Sequence, residues 1–296
     1  RVAVPRKGRP LEAVLERLAA RTGTTELADD IISTLRYEKD LTKGNQSAED
    51  SVYHRLADYS DLEDPTRPEF TLLRDDRDGM PRRVVFDSVT VPTDRGDVQL
   101  VGREEPFRAL RTHEFALGFD SADLVLEEVV ELQDDPLRTI DEINDRIDPL
   151  DTDVRVATGL GDTVYHTLLA TPTVVDSQDR PLDREFVRNY AGELCISPRY
   201  ERLIEAVIGT AALDDITFTY PESGKEEEAA IADTGLGVYL TVTGSTARDH
   251  DLELGDRLFP SETVLIENRS ERTPATEQVA ELFTEPEATA LQSLQK

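Results

Sequence analysis

An α/β fold is expected from the 296-residue chain on three observations. Short apolar, strand-like runs recur from Val2-Ala3-Val4 near the start to Thr263-Val264-Leu265-Ile266 near the end. Amphipathic helical stretches alternate with them, the pattern of a sheet covered by helices. Apolar residues make up 38% of the composition, and a chain of this length can bury a sizeable core in two domains or one large one.

The first strand, Val2 to Pro5, runs into a basic turn, Arg6-Lys7-Gly8-Arg9-Pro10. Leu11, Val14, Leu15 and Leu18 then repeat at helical spacing, with Pro10 well placed in the first turn. A strand, a basic glycine turn and a helix start read either as an anion site or as a solvated turn. Between residues 20 and 80, Leu27, Ile31, Ile32 and Leu35 mark one surface helix, and Val52, Leu56 and Tyr59 another. Polar, proline-bearing loops surround them, and no chemistry is assigned to this elaboration.

Strand patterns resume at Arg83-Val84-Val85-Phe86 and Val98-Gln99-Leu100-Val101, then at Phe115 to Phe119. Asp134 to Asp153 reads as acidic loop. Gly159-Leu160-Gly161 opens a strand from Val164 to Ala170, closed by Pro172. Leu194-Cys195-Ile196 is a strand ending at Ser197-Pro198-Arg199-Tyr200, and its helix carries Leu203, Ile204 and Val207 on one face. Ile216 to Tyr220 and Gly237 to Val242 are further strands. Between them, Glu226-Glu227-Glu228 reads as a solvated face or as an acidic edge turned into a cleft. A last helix is expected over Val279, Leu282 and Phe283.

Acidic residues outnumber basic ones 62 to 33, for a formal charge of −29, and only five of the basic residues are lysines. Dispersed negative charge with few lysines is the mark of a protein adapted to high salt, where screening tolerates self-repulsion. No basic run offers a nucleic-acid surface. A single cysteine, Cys195, excludes an intramolecular disulfide and a cysteine-rich zinc site, and its apolar surroundings mark a buried structural thiol. The four histidines form no metal-ligand motif. With no secretory signal or membrane-length apolar run, a cytoplasmic protein without membrane contact is expected.

The stretch with most chemical content is Thr241-Val242-Thr243-Gly244-Ser245-Thr246-Ala247-Arg248, where a strand gives way to a helix start. Unpaired backbone N–H groups at such a place favour an anion; Gly244 permits close approach, and Thr243, Ser245 and Thr246 add hydroxyl donors. The natural ligand is a phosphate, and the alternative is a polar turn.

Taken in order, these pieces resemble the ATP phosphoribosyltransferase family, which starts histidine biosynthesis. Pro5-Arg6-Lys7-Gly8-Arg9 is similar to its Pro-x-Lys-Gly-Arg start. Arg103-Glu104-Glu105-Pro106 and Gly118 through Asp123 are similar to its Arg…Asp-x-Pro and Gly-x-x-Gly-x-Asp segments. Gly159-Leu160-Gly161 through Ala170-Thr171-Pro172 resembles its hinge strand, and Cys195 to Tyr200 loosely resembles a later turn. Thr243-Gly244-Ser245-Thr246 resembles its phosphoribosyl-diphosphate loop. The departures cluster: Tyr239 stands where the family has an acid five residues before the loop glycine. Ala247 and His250 replace a leucine and an asparagine; Ser121 replaces a glycine, and Ala116 an aspartate.

The resemblance implies a two-domain, type II periplasmic-binding-protein-like architecture with a central cleft. Residues 1–163, with 258–296 returning to them, would form the first domain and 164–257 the second. It implies transfer of ribose 5-phosphate from phosphoribosyl diphosphate to a purine nucleotide, with magnesium on the departing pyrophosphate. Thr243, Gly244, Ser245, Thr246 and Arg248 would hold the 5-phosphate. Lys7 and Arg9 would meet the pyrophosphate or a nucleotide phosphate, and Asp123 would orient ribose hydroxyls. Glu227 or Asp123 would hold the metal's waters, and Arg103 would make an interdomain ion pair or a substrate contact. A homo-oligomer is implied, with room for a separate regulatory subunit, and the thirty residues after Ile266 are too few for a histidine-binding domain. The alternative is a non-catalytic relative that binds a phosphorylated ligand or regulates.

Overall fold

The computed structural model describes residues 1–73, 83–94, 96–178, 180–222 and 225–284. In chain order the elements are β1 (Val2–Pro5), α1 (Gly8–Thr22), α2 (Thr25–Lys43), α3 (Val52–Tyr59), β2 (Glu69–Leu73), β3 (Arg83–Val91), β4 (Val98–Arg103), α4 (Pro106–Arg111), β5 (Leu117–Ser121), α5 (Ala122–Val129), β6 (Val154–Gly159) and β7 (Val164–Ala170). They continue with α6 (Pro172–Asp176), α7 (Arg184–Arg188), β8 (Gly192–Cys195), α8 (Glu201–Ile208), β9 (Ile216–Thr219), α9 (Glu227–Thr234), β10 (Leu236–Thr241), α10 (Ser245–Asp249), β11 (Glu253–Ser261), β12 (Thr263–Asn268) and α11 (Pro274–Thr284).

Among the described residues the strands form two sheets, ordered β2-β3-β4-β1-β5-β12-β6 and β11-β7-β10-β8-β9. The same plan underlies both. In the first, β4-β1-β5 run parallel or adjacent, β12 comes next, and β6 closes the edge antiparallel to β12. In the second, β9-β8-β10 correspond, β7 is antiparallel to β10, and β11 closes the edge antiparallel to β7. Each sheet thus seats its second, first and third parallel strands together, followed by two strands antiparallel to each other at that edge. This is the type II periplasmic-binding-protein order, and the fold is of that α/β class.

Two compact units result: residues 1–120 with 153–160 and 263–296, and residues 121–152 with 161–262. The boundaries expected at 163 and 258 fall instead at 160 and 262. A larger difference concerns residues 121–152, which were expected in the first domain. Their apolar face explains the placement: Ala122, Val125, Leu126 and Val129 of α5 are buried, and α5 packs on α8. The Arg202 guanidinium donates to the Val130 carbonyl at 2.7 Å, and the Leu137 N–H donates to Ala206 O at 2.9 Å.

Helix α1 forms as its spacing predicts, with Leu11, Val14, Leu15 and Leu18 buried and Gly23 terminating it in the left-handed conformation at φ 74°. Its face joins Phe86, Phe119 and Leu265 in the core of the first unit, each such side chain contributing about 1.5–3 kcal/mol by burial. Helices α2 and α3 fall where expected. They are more than surface decoration, because Ile31 is fully buried in the same core.

The two are tied by Glu38, a buried acid at 2% exposure. Arg55 donates to both its oxygens, at 2.7 and 2.9 Å, and the Tyr59 hydroxyl donates at 2.9 Å. Burial and then the hydrogen bond to Glu38 push the Tyr59 pKa up to about 12. Removing one partner of a buried, hydrogen-bonded ion pair typically costs about 3–5 kcal/mol, because the other charge stays desolvated. Glu38→Ala should therefore lower the unfolding free energy by roughly that amount, read by urea unfolding at fixed potassium chloride. A loss within the range of an ordinary surface substitution, about 0.5 kcal/mol, would show the pair to be ornamental.

Candidate functional site

In the second unit, β10 ends at Thr241 and α10 begins at Ser245, with Gly244 between them at φ 68°. Glycine adopts this left-handed conformation without strain. Besides its positive φ, a Cβ there would lie 2.2 Å from Leu254 Cδ2. The Ser245 N–H donates to Thr243 Oγ1 at 3.4 Å, and the two hydroxyls lie 3.1 Å apart. Among the described residues the N–H groups of Thr246 and Ala247 have no protein acceptor, as expected for a first helical turn. Thr243, Ser245 and Thr246 are exposed, while Gly244 and Ala247 are buried and anchor the turn. They border a concavity of about 180 Å³ that runs from Leu240 to Ala247, with Glu228 of α9 on its wall. Open N–H groups, three hydroxyls and a close backbone are the groups that an anion cradle would need. Arg248 is not part of it; it lies exposed in the last turn of α10.

Tyr239, the residue in place of the expected acid, lies on β10 opposite Thr167 of β7. Burial pushes its pKa up to about 12, with the charges of Glu227 and Glu228 adding to the rise and Glu227 hydrogen-bonded to it. The phenol therefore stays neutral at ordinary pH. His250, the other departure, reaches Glu226 at 3.3 Å. Both substituted positions thus meet the glutamate run at the start of α9.

Asp123 is placed differently from the expectation that it orients ribose hydroxyls or a metal's waters. It is buried at 7% exposure, with Oδ1 3.1 Å from His166 Nε2 and Oδ2 accepting from the Ser261 hydroxyl at 2.9 Å. Ser121, the glycine position of the family, caps α5 by accepting from the Asp123 N–H at 3.3 Å. His166 packs edge-on against Tyr200 at 4.9 Å, and the Arg199 guanidinium lies 4.5 Å over the Tyr200 ring. With both oxygens engaged, Asp123 organises protein groups. Sequence reading missed His166 and Ser261, because residues so far apart in the chain carry no local spacing signal.

In the first unit Lys7 is the N-cap of α1, and with Gly8 it lines a separate concavity. Arg9 is partly exposed in the first turn of the same helix. Arg103 stacks 4.9 Å over Phe115. Cys195 is a buried thiol, raised in pKa by burial, as expected for a structural residue. Among the described residues no group of three or more His, Cys, Asp or Glu is arranged to hold a metal, and no helix is long and apolar enough to cross a membrane.

With this geometry in view, residues 1–294 match the family model described as halobacterial ATP phosphoribosyltransferase. The chain belongs to that family. No curated protein sequence matches it. Among solved structures, the ATP phosphoribosyl transferase (HisG:HisZ) complex from Thermotoga maritima aligns over 95% of this chain and 92% of that chain, at 12% identity and a TM-score of 0.43. The regulatory domain of MetR, a LysR family regulator from N. meningitidis, aligns over 62% of this chain and 78% of that chain (10% identity, TM-score 0.34). The periplasmic VFT2 domain of BvgS from Bordetella pertussis aligns over 62% and 68% (11% identity, TM-score 0.32).

The Asp123 knot makes a pH prediction. Burial raises the carboxyl's pKa, but the hydrogen bond and charge of His166, with Ser261 and Ser121, outweigh it and hold the value below the ordinary one. A depressed folded-state pKa contributes stability that is present above the unfolded carboxylate range and lost as pH falls through the folded value. Asp123→Asn should therefore be less stable than the wild type above about pH 4, with the two unfolding free energies converging in acid. A gap that stays constant as the pH is lowered would contradict the assignment.

Proposed function

We propose that the chain transfers ribose 5-phosphate from phosphoribosyl diphosphate to a purine nucleotide, a glycosyl transfer with pyrophosphate as the leaving group. The observation that carries this reading is the acid at the cradle. The strand position that should supply it is Tyr239, yet Glu228 borders the concavity and Glu227 holds the Tyr239 phenol. A carboxylate is thus present beside the phosphate loop, delivered from α9. In this reading Thr243, Gly244, Ser245 and Thr246 hold the 5-phosphate through backbone N–H groups and hydroxyls. Glu228 accepts hydrogen bonds from the ribose diol, and neutral Tyr239 keeps Glu227 oriented.

Displacement at an anomeric carbon needs positioning and charge stabilisation more than a covalent nucleophile. Lys7 and Arg9 are the cations of the first unit assigned to substrate phosphates. Glu227 and Glu228 are hard oxygen donors that suit a magnesium ion through its waters, whereas Asp123, with both oxygens taken, does not fit that task. When bound, magnesium neutralises charge on the departing pyrophosphate. A homo-oligomer and a separate regulatory subunit remain part of the proposal.

The test is a pyrophosphate-release assay in concentrated potassium chloride with phosphoribosyl diphosphate, magnesium and a panel of purine nucleotides. Turnover is expected, and Thr246→Ala, Lys7→Ala and Glu228→Gln should each lower it by about a hundredfold. Binding of phosphoribosyl diphosphate without turnover would support a binding or regulatory relative instead. No binding at all would remove both readings.

A further inference from the structure

One face of the second unit's sheet changes character along its length. At one end Leu169 of β7 packs with Ala230 and Ile231 of α9 and with Leu252, in the small core beneath the loop after β10. Side chains alternate between the faces of a strand, so Leu169, Thr167 and Tyr165 share one face of β7. Tyr239 and Thr241 of β10 stand opposite Thr167 and Tyr165, and Arg257 of β11 also stands opposite Thr167. Opposed residues of an antiparallel pair lie on the same face. The Thr167 and Thr241 hydroxyls, 2.6 Å apart, agree with that. Beyond Leu169 the face therefore carries two tyrosines, two threonines and a guanidinium.

Two observations mark this end as a ligand surface. Arg257 is exposed and lies 4.7 Å over the ring of Tyr165. Among the described residues no carboxylate pairs with it, although acids outnumber basic residues 62 to 33 in the chain. The ring holds the cation by its π-face, so the N–H donors of the guanidinium stay available. The second observation is position. Tyr165 stands opposite Thr241, which lines the concavity of the Thr243–Thr246 loop. Neighbouring strands are only about 4.8 Å apart. A group seated on Tyr165 and Arg257 lies beside whatever that loop holds.

We propose that Tyr165 and Arg257 form the platform on which the purine ring of the acceptor stacks. Nucleobases stack on aromatic rings and on guanidinium planes alike, and every base has a π-face to offer. The free N–H groups of Arg257 supply donors for the acceptor nitrogens of a purine. A base held here is positioned against a ribose whose 5-phosphate sits in the loop. The proposal deepens the transferase reading and rests on it for the identity of the acceptor.

Calorimetric titration of the full chain at one fixed potassium chloride concentration tests this. The probes are ATP and uridine triphosphate, which share ribose and triphosphate and differ in the base, with ribose 5-phosphate as a third. ATP should bind more tightly than uridine triphosphate. Arg257→Lys keeps the charge but loses the plane, and should weaken ATP by roughly tenfold and erase its preference. Tyr165→Leu should do the same, whereas Tyr165→Phe, which keeps the ring, should retain the affinity. Ribose 5-phosphate should bind the wild type and all three variants alike. Undiminished ATP affinity in Arg257→Lys, or equal affinities of the wild type for the two triphosphates, would overturn the platform. Loss of ribose 5-phosphate binding in Arg257→Lys would also overturn it, by making the guanidinium a phosphate ligand. The two readings fail separately. A purine preference that depends on Arg257, without pyrophosphate release by the wild type, removes the transferase and leaves the platform. Release with the preference intact in Arg257→Lys removes the platform alone.

Discussion

The second unit depends on one buried carboxylate. Asp123 joins three segments that are distant in sequence: α5, which carries it, β7 through His166, and the end of β11 through Ser261. All three lie within a few residues of the points where the chain enters or leaves the unit. Neighbouring bonds reinforce the knot. The Ala122 N–H donates to the Glu262 carbonyl, while Gly161 N–H and the Thr163 hydroxyl donate to the Glu262 carboxylate. A buried charge is tolerated only when its lone pairs are satisfied, so these segments are held in one register. Through β7 the constraint reaches the loop that follows β10. His166 pairs with Leu240, and Thr167 meets Thr241 at 2.6 Å between hydroxyls, directly below the cradle.

The departures from the family pattern make physical sense as a set. Tyr239 is a neutral, half-buried phenol against Glu227, and His250 reaches Glu226. Ser121 caps α5 just before the knot, and Ala247 packs with Leu252 in the small core beneath the loop. None leaves a buried polar group stranded. In the proposed reading the acid comes instead from the first turn of α9, which holds Glu227 and Glu228 and where negative charge suits the positive helix end.

Much of this architecture was legible in the sequence. Helix α1, strand β7 and the loop after β10 each announce themselves through short-range chemistry: helical spacing of leucines, an apolar run closed by proline, glycine between hydroxyls. Strands β2, β6 and β11 did not. β2 is a five-residue edge strand with a single buried side chain, and β6 reads Val-Arg-Val-Ala between polar neighbours. β11 is largely exposed along its first half and irregular in register against β7, so it carries no alternation to detect. The segment 121–152 was assigned to the wrong unit because its partner, α8, lies some eighty residues on. The role of Asp123 was misjudged for the same reason. A motif position marks a residue, but its partners come from tertiary structure. Lys7 stood out in its basic glycine turn, but Arg36 and Lys39, which line the same concavity, look like the solvated side of an amphipathic helix.

The central claim is that the backbone from Thr243 to Ala247 is an anion cradle in its own right. Backbone amide NMR of the chain titrated with ribose 5-phosphate tests it most directly. The account predicts that the Thr246 and Ala247 amides, which lack protein acceptors, shift most, with Gly244 and Ser245 following, and that Thr246→Ala reduces the response. Saturable shifts confined to other residues, with these amides unmoved, would contradict it.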